Sequence, residues 1–131
     1  MNLSITRNHL TAVLLLLLIC IAGIGCLYLF AAPDGWISVQ KSHYTTTSPP
    51  PEETTIFLPT EQDYRQYPHL KTLLQNPGVH LPVSDNPLVR IKQGDAVVSG
   101  QEAGKLLGDY GIGKGYILFE GTYYHTMLLV T

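Results

Sequence analysis

The chain has 131 residues, 45% of them hydrophobic and 14% charged, with a formal net charge of −2 at pH 7. Once an apolar N-terminal stretch and a linker are set aside, that length leaves room for one small globular domain, since domains usually need about 50 to 150 residues. Behind the apolar stretch seven cations stand against ten anions, a net of −3, which argues against recognition of nucleic acid or anionic lipid through bulk electrostatics.

The window from Asn8 to Pro33 holds no Asp, Glu, Lys or Arg, and Val13 to Ile19 is an aliphatic run that continues through Ala22, Ile24, Leu27, Leu29 and Phe30. At about 1.5 Å per residue, residues 10–32 make a helix roughly 35 Å long, enough to cross a hydrocarbon core of about 30 Å. The expected partner of this segment is the lipid bilayer. A cleaved signal peptide would carry an apolar core of about 7 to 15 residues ending at small residues. Here the run is longer, Leu29 and Phe30 stand where small residues belong, and Pro33 follows. Lipoprotein processing at Cys26, behind Gly23-Ile24-Gly25, is disfavoured because Leu27-Tyr28-Leu29-Phe30 prolong the apolar segment past the cysteine. Cys20 and Cys26 read as small apolar residues of the span, and the absence of cysteine elsewhere excludes a disulfide framework. Ala22 with Gly23 and Gly25 is a small-residue patch without the G-x-x-x-G spacing of a helix-packing motif. Arg7 and the α-amine before the span, against Asp34 and the more distant Lys41 after it, place the N-terminus in the cytoplasm and the C-terminal domain outside. Residues 1–9 are then a short cytoplasmic tail.

Residues 33–59 read as a Pro/Thr-rich stalk. From Thr45 through Pro49-Pro50-Pro51 to Thr55 the composition cannot bury a core, and three consecutive prolines favour an extended spacer that does not pair in a sheet. O-glycosylation of the threonines and recognition of the prolines by a partner are the functional alternatives. No N-x-S/T sequon follows the span.

Residues 60–131 are expected to form a small extracytoplasmic α+β domain: two short helices and a small antiparallel sheet ending in a C-terminal β-hairpin. Thr60 with Asp63 resembles a capping box and opens a helix from Glu61 to Gln75, with a restart at Pro68 and a stop at Asn76-Pro77-Gly78. Val79 to Pro87, with Pro82 and Pro87, reads as irregular or edge structure. Leu88 to Lys92 and Asp95 to Val98 are short strand candidates about a Gln93-Gly94 turn. Ser99 with Glu102 is a second capping box, opening a helix toward Tyr110 that Gly104 and Gly108 weaken. Tyr116 to Phe119 and Thr122 to Val130, joined at Glu120-Gly121, form the hairpin, with Phe119 facing Thr122, Leu118 facing Tyr123, Ile117 facing Tyr124 and Tyr116 facing His125. Both hairpin faces carry bulky groups, so it is either sandwiched in the core or covered from outside the chain.

Chemical motifs are sparse. Gly108 to Gly115 fits G-x-x-x-x-G-K but puts Gly115 where a metal-binding Ser or Thr belongs, and it follows a helix and precedes a strand, the reverse of a phosphate loop. His43, His69, His80 and His125 are scattered without metal-ligand spacing, His69 reading as an exposed helix residue. No nucleophile is paired with a base, and Ser99 is committed to capping. The chain is therefore expected to be no enzyme and to hold no cofactor. The expected function is a single-pass membrane-anchored protein whose outer domain mediates a protein interaction or self-association, through a surface of Tyr116, Tyr123, Tyr124 and His125. The alternative is a membrane-anchored small-ligand or sensing domain with a pocket near Tyr123, Tyr124 and His125.

Overall fold

A computed structural model of the chain describes residues 3–130. Met1 and Asn2, at the head of the expected tail, and Thr131, the last residue of the expected domain, lie outside the described residues. The chain divides into two compact units, Met1–Ala31 and Ala32–Thr131.

The first unit is one helix, α1 (Leu3–Phe30), whose Thr6–Phe30 portion is long and apolar enough to cross a membrane. It takes in residues expected to be a free tail and ends at Phe30, two residues before the expected Ala32. Pro33 accounts for the stop, because its ring disfavours helical backbone at Ala32.

The second unit is an α+β domain around a five-stranded sheet. Its strands are β1 (Gly35–Thr45), β2 (Ile56–Phe57), β3 (Leu81–Val83), β4 (Tyr116–Phe119) and β5 (Thr122–Val130), in the order β2-β4-β5-β1-β3. The sheet is mixed rather than antiparallel: β2 pairs with β4 in parallel, and the other three pairings are antiparallel. The expected stalk over 33–59 is replaced in its first half by β1, which lies between β5 and β3 and matches β5 from Gly35↔Val130 to Lys41↔Tyr124. Ile37 and Val39 alternate with Ser38 and Gln40 there, the period of a strand with one face in a core, and both aliphatic side chains are buried. Since β2 lies at the opposite edge from β3, the Pro-rich segment 46–55 is the connection that carries the chain past β5 and β4. It is tied down by mutual backbone bonds between Thr45 and Ser48 (3.0 and 3.1 Å) and by the bond from Tyr116 N to Thr55 O (3.0 Å).

Four helices, not two, belong to this unit among the described residues. The expected helix over 61–75 is two, α2 (Glu61–Gln66) and α3 (Leu70–Gln75). Thr60 and Asp63 form the capping box at α2, Thr60 N donating to Asp63 Oδ2 at 2.8 Å. Pro68 holds Tyr67 outside helical space (φ −122°, ψ 84°) and so separates the helices. Leu88 to Lys92, expected as a strand, is helix α4 (Pro87–Gln93). Asn86 caps it by accepting from Leu88 N at 3.0 Å, and Pro87 has the fixed φ of a first helical position. These two start signals override the β-branched pair Val89 and Ile91. Gly94–Ala96 is a short 3-10 turn, and of the second expected strand only Val98 bridges to Val83. Helix α5 (Gly100–Tyr110) starts as expected, with Ser99 accepting from Glu102 N at 3.1 Å.

The core lies between one sheet face and the helices: Ile37, Val39, Leu81, Val83, Ile117 and Tyr124 meet Leu70, Leu73, Leu74, Ala103 and Leu106. Thr126, also buried on this face, donates to Leu106 O at 2.9 Å. Three of the four expected hairpin pairs are formed, Ile117↔Tyr124, Leu118↔Tyr123 and Phe119↔Thr122. The turn has positive φ at both Glu120 (49°) and Gly121 (77°), the pairing of a type I′ turn, whose first position favours Asn or Asp over Glu. Glu120→Asn should therefore stabilise the full chain by about 0.5–1 kcal/mol, read as a raised unfolding midpoint in detergent. Leu73→Ala, which empties a fully buried position, should cost about 2–5 kcal/mol in the same measurement.

Candidate functional site

Strand alternation sends the residues between the core positions to the opposite sheet face: Trp36, Ser38 and Gln40 from β1, Tyr123, His125, Met127 and Leu129 from β5, and Tyr116 and Leu118 from β4. None of these belongs to the hydrophobic cluster beneath the helices. The expected interaction surface is thereby divided. Tyr116, Tyr123 and His125 share the outer face, where Tyr123 is buried, whereas Tyr124 is buried in the core on the opposite face.

Tyr116 is the hub of the outer cluster. Its ring centroid lies 6.4 Å from Tyr123 and 6.2 Å from His125, both edge-on. Tyr44 joins at 5.5 Å and carries His43 against it at 4.0 Å. Tyr44 and His43 are missing from the expected surface because both fall in the segment read as stalk. Such edge-to-face contacts favour defined ring positions by about 0.5–1.5 kcal/mol each. Gln40 and His125 sit opposite each other in the β1–β5 register, and Gln40 Oε1 lies 3.2 Å from His125 Nε2. With that oxygen as acceptor, Nε2 carries the proton and Nδ1 is left as an acceptor. Burial holds the His125 ring below the ordinary histidine pKa of 6.5, so the ring is a neutral hydrogen-bonding group at pH 7.

Two concavities flank this cluster. A recess of about 200 Å³ is lined by Thr54, Ile112, Gly113, Gly115, Tyr116 and His125, smaller than the roughly 300–1,000 Å³ of ordinary small-molecule sites. Gly115 is demanded by its position: φ is 127°, and a Cβ there would stand 2.3 Å from Thr55 O. The G-x-x-x-x-G-K match thus lies between the end of α5 and β4, where its glycines turn the chain and admit the crossover from β1.

The larger concavity, about 470 Å³, runs along β1 and is lined by Ser38 to Lys41, Met127, Pro77, Gly78 and His80. Its origin is a mismatch of strand length. β3 pairs with β1 only at Gly35, Trp36 and Ile37, after which the segment Pro77–His80 departs and no described strand continues beside Ser38–Lys41 on that side. A β-strand edge of this kind presents unpaired backbone donors and acceptors; here Gln40 and Lys41 are exposed, while Ser38 and Val39 are buried.

The remaining polar clusters serve the fold. His69, expected as an exposed helix residue, links three elements. Its ring Nδ1 lies 2.8 Å from Glu102 Oε2 in α5, its Nε2 lies 2.8 Å from Asp95 O, and its backbone N–H donates to Glu102 Oε1 at 3.0 Å. Glu102 is spent on His69 rather than on closing the expected capping box at Ser99. Tyr67 donates to Asp109; burial first, and then this hydrogen bond, push its hydroxyl well above the ordinary tyrosine range. Tyr110 is pushed up to about 12 by burial and then by the charges of Asp63 and Asp109. Among the described residues no three His, Cys, Asp or Glu side chains are grouped to hold a metal ion.

Comparisons with protein-family models, with curated proteins and with solved structures returned no match to this chain.

The depressed pKa of His125 gives a signed expectation. Below about pH 6.5 the unfolded chain binds this proton more readily than the folded one, so the contribution is complete above pH 6.5 and is lost as pH falls. Unfolding midpoints measured from pH 7.5 to 5 should fall more steeply for the native chain than for His125→Gln. Equal slopes would refute the partly buried neutral ring.

Proposed function

We propose that this chain is a single-pass membrane-anchored binding module, without enzymatic activity, whose extracytoplasmic domain recognises an extended segment of a partner protein. The observation that carries this reading is the stretch of β1 that β3 leaves unpaired, exposed at Gln40 and Lys41 and buried at Ser38 and Val39, beside the groove walled by Pro77, Gly78 and His80. An extended peptide laid there would add a strand to the sheet, with main-chain hydrogen bonds supplying affinity and alternate side chains supplying selectivity. The groove floor suits an uncharged segment, since Ser38, Gln40 and Met127 contribute no charge and Lys41 stands at one end. The aromatic cluster about Tyr116 extends the contact on the same face, in the residue types that interfaces favour. The anchor supports presentation of this surface at a membrane.

The small-ligand reading rests on the recess beside Tyr116 and His125, which offers a neutral imidazole, a tyrosine and two glycines. Its volume accommodates an ion or a few waters more readily than a metabolite, so it stands second.

A photo-crosslinking residue at Gln40, compared with one at exposed Glu61 on α2, tests the leading reading in native membranes. The Gln40 position should yield a discrete adduct absent at position 61, and fragmentation should map the attachment to one short segment of the partner. An adduct of twice the chain mass would make that partner a second copy. The same adducts from both positions, or none from position 40, would overturn the reading.

A further inference from the structure

The replacement of the stalk by β1 changes how far the domain can stand from a membrane. A spacer over 33–59 would allow separations of up to about 80 Å at roughly 3.1 Å per residue. The actual connection is far shorter. α1 ends at Phe30, and Asp34 already donates its backbone N–H to Val83 O at 2.8 Å, so only residues 31–33 lie between the apolar helix and the sheet. Four Cα steps reach at most about 14 Å, whatever the angle between the two units.

The end of the sheet joined to this tether gathers exposed aliphatics and a tryptophan, with Asp34 and Asp85 exposed nearby. Gly35 and Trp36, the first residues of β1, pair with Val130 and Leu129, the last described residues of β5. Leu129 is 47% exposed and Val130 is 76% exposed, while the Trp36 ring is half-buried beside Leu129 on the outer face. Exposed aliphatics together with tryptophan at one sheet end are costly in water, but tryptophan is enriched at the headgroup level of bilayers, where one part of the ring system is apolar and another wet. A headgroup layer about 5–7 Å deep on each side of the hydrocarbon lies within the tether's reach.

We propose that Trp36, Leu129 and Val130 form an apolar foot that seats the domain in the headgroup layer of the bilayer spanned by α1. This inference rests on α1 remaining in the membrane as an anchor. Seated in this way, the domain keeps one end of β1 at the lipid surface, and the exposed Gln40 lies only four residues beyond Trp36, so the binding edge faces partners that are themselves close to the membrane.

Trp36 is the sole tryptophan, so the full chain reports on its own placement. Reconstituted in phosphatidylcholine vesicles, the chain should float with lipid and resist alkaline extraction; failure to do so would overturn both the anchor and the foot. In vesicles that retain the chain, spin labels near the headgroups should quench Trp36 emission several-fold more than labels near the acyl-chain ends, and aqueous iodide should quench it weakly. Leu129→Glu, with the unfolding midpoint checked, should reduce the shallow quenching at least twofold. Retention of the chain with Trp36 open to iodide and indifferent to lipid-borne labels would overturn the foot while leaving the anchor in place.

Discussion

The antiparallel ladder between β1 and β5 is the constraint on which the domain rests. It unites the first and last strands of the unit, separated by some eighty residues, and both neighbouring pairings depend on it: β4 joins through the hairpin to β5, and β3 joins through β1. Ile37 and Val39 supply the middle of the core from a segment that local composition assigns to a linker. Without β1, the helices would face only the hairpin β4-β5 and the two-residue β2 paired to it, with β5 left as an unsupported edge, and so small a sheet is marginal in water. The crossover 46–55 is a consequence, because a chain entering beside β3 has to reach β2 on the far side of the sheet.

Helices cover one sheet face, and this asymmetry places the functional candidates. Tyr124 and Ile117 are held in the core, while Tyr116, Tyr123 and His125, one residue away on the same strands, are released to the outer face. Tyr44 reaches Tyr116 there, joining the incoming strand to the outgoing hairpin through side chains as well as through the ladder. The unequal lengths of β1 and β3 leave Ser38–Lys41 without a strand partner on one side, exposed at Gln40 and Lys41. Both features follow from how strands are paired and where they stop.

Legibility in the sequence varied with the range of the interaction. The hairpin register was readable because two strands joined by Glu120-Gly121 have little choice of alignment, and the capped starts at Thr60 and Ser99 were readable because cap and first turn are adjacent. Val89 and Ile91 favour a strand over Leu88 to Lys92, but Asn86-Pro87, a start signal of the same local kind, decides for the helix. Three of the five rings in the aromatic cluster were accessible, since Tyr116, Tyr123 and His125 all lie in the hairpin. Tyr44 was not, because a short polar stretch rich in Ser and Thr carries no mark of the strand to which it will pair.

By itself the sequence determined a long apolar N-terminal helix, a small α+β domain behind it, and the hairpin that closes the chain. Each rests on periodicity, capping or turn chemistry, which act over a few residues. Tertiary structure alone decided that Gly35–Thr45 enters the sheet, that β2 pairs in parallel, that Tyr124 faces the helices while Tyr123 and His125 face away from them, and that part of β1 remains unpaired on one side. Those outcomes depend on contacts between residues tens of positions apart, where the partner's identity and register, and not the local composition, select the state.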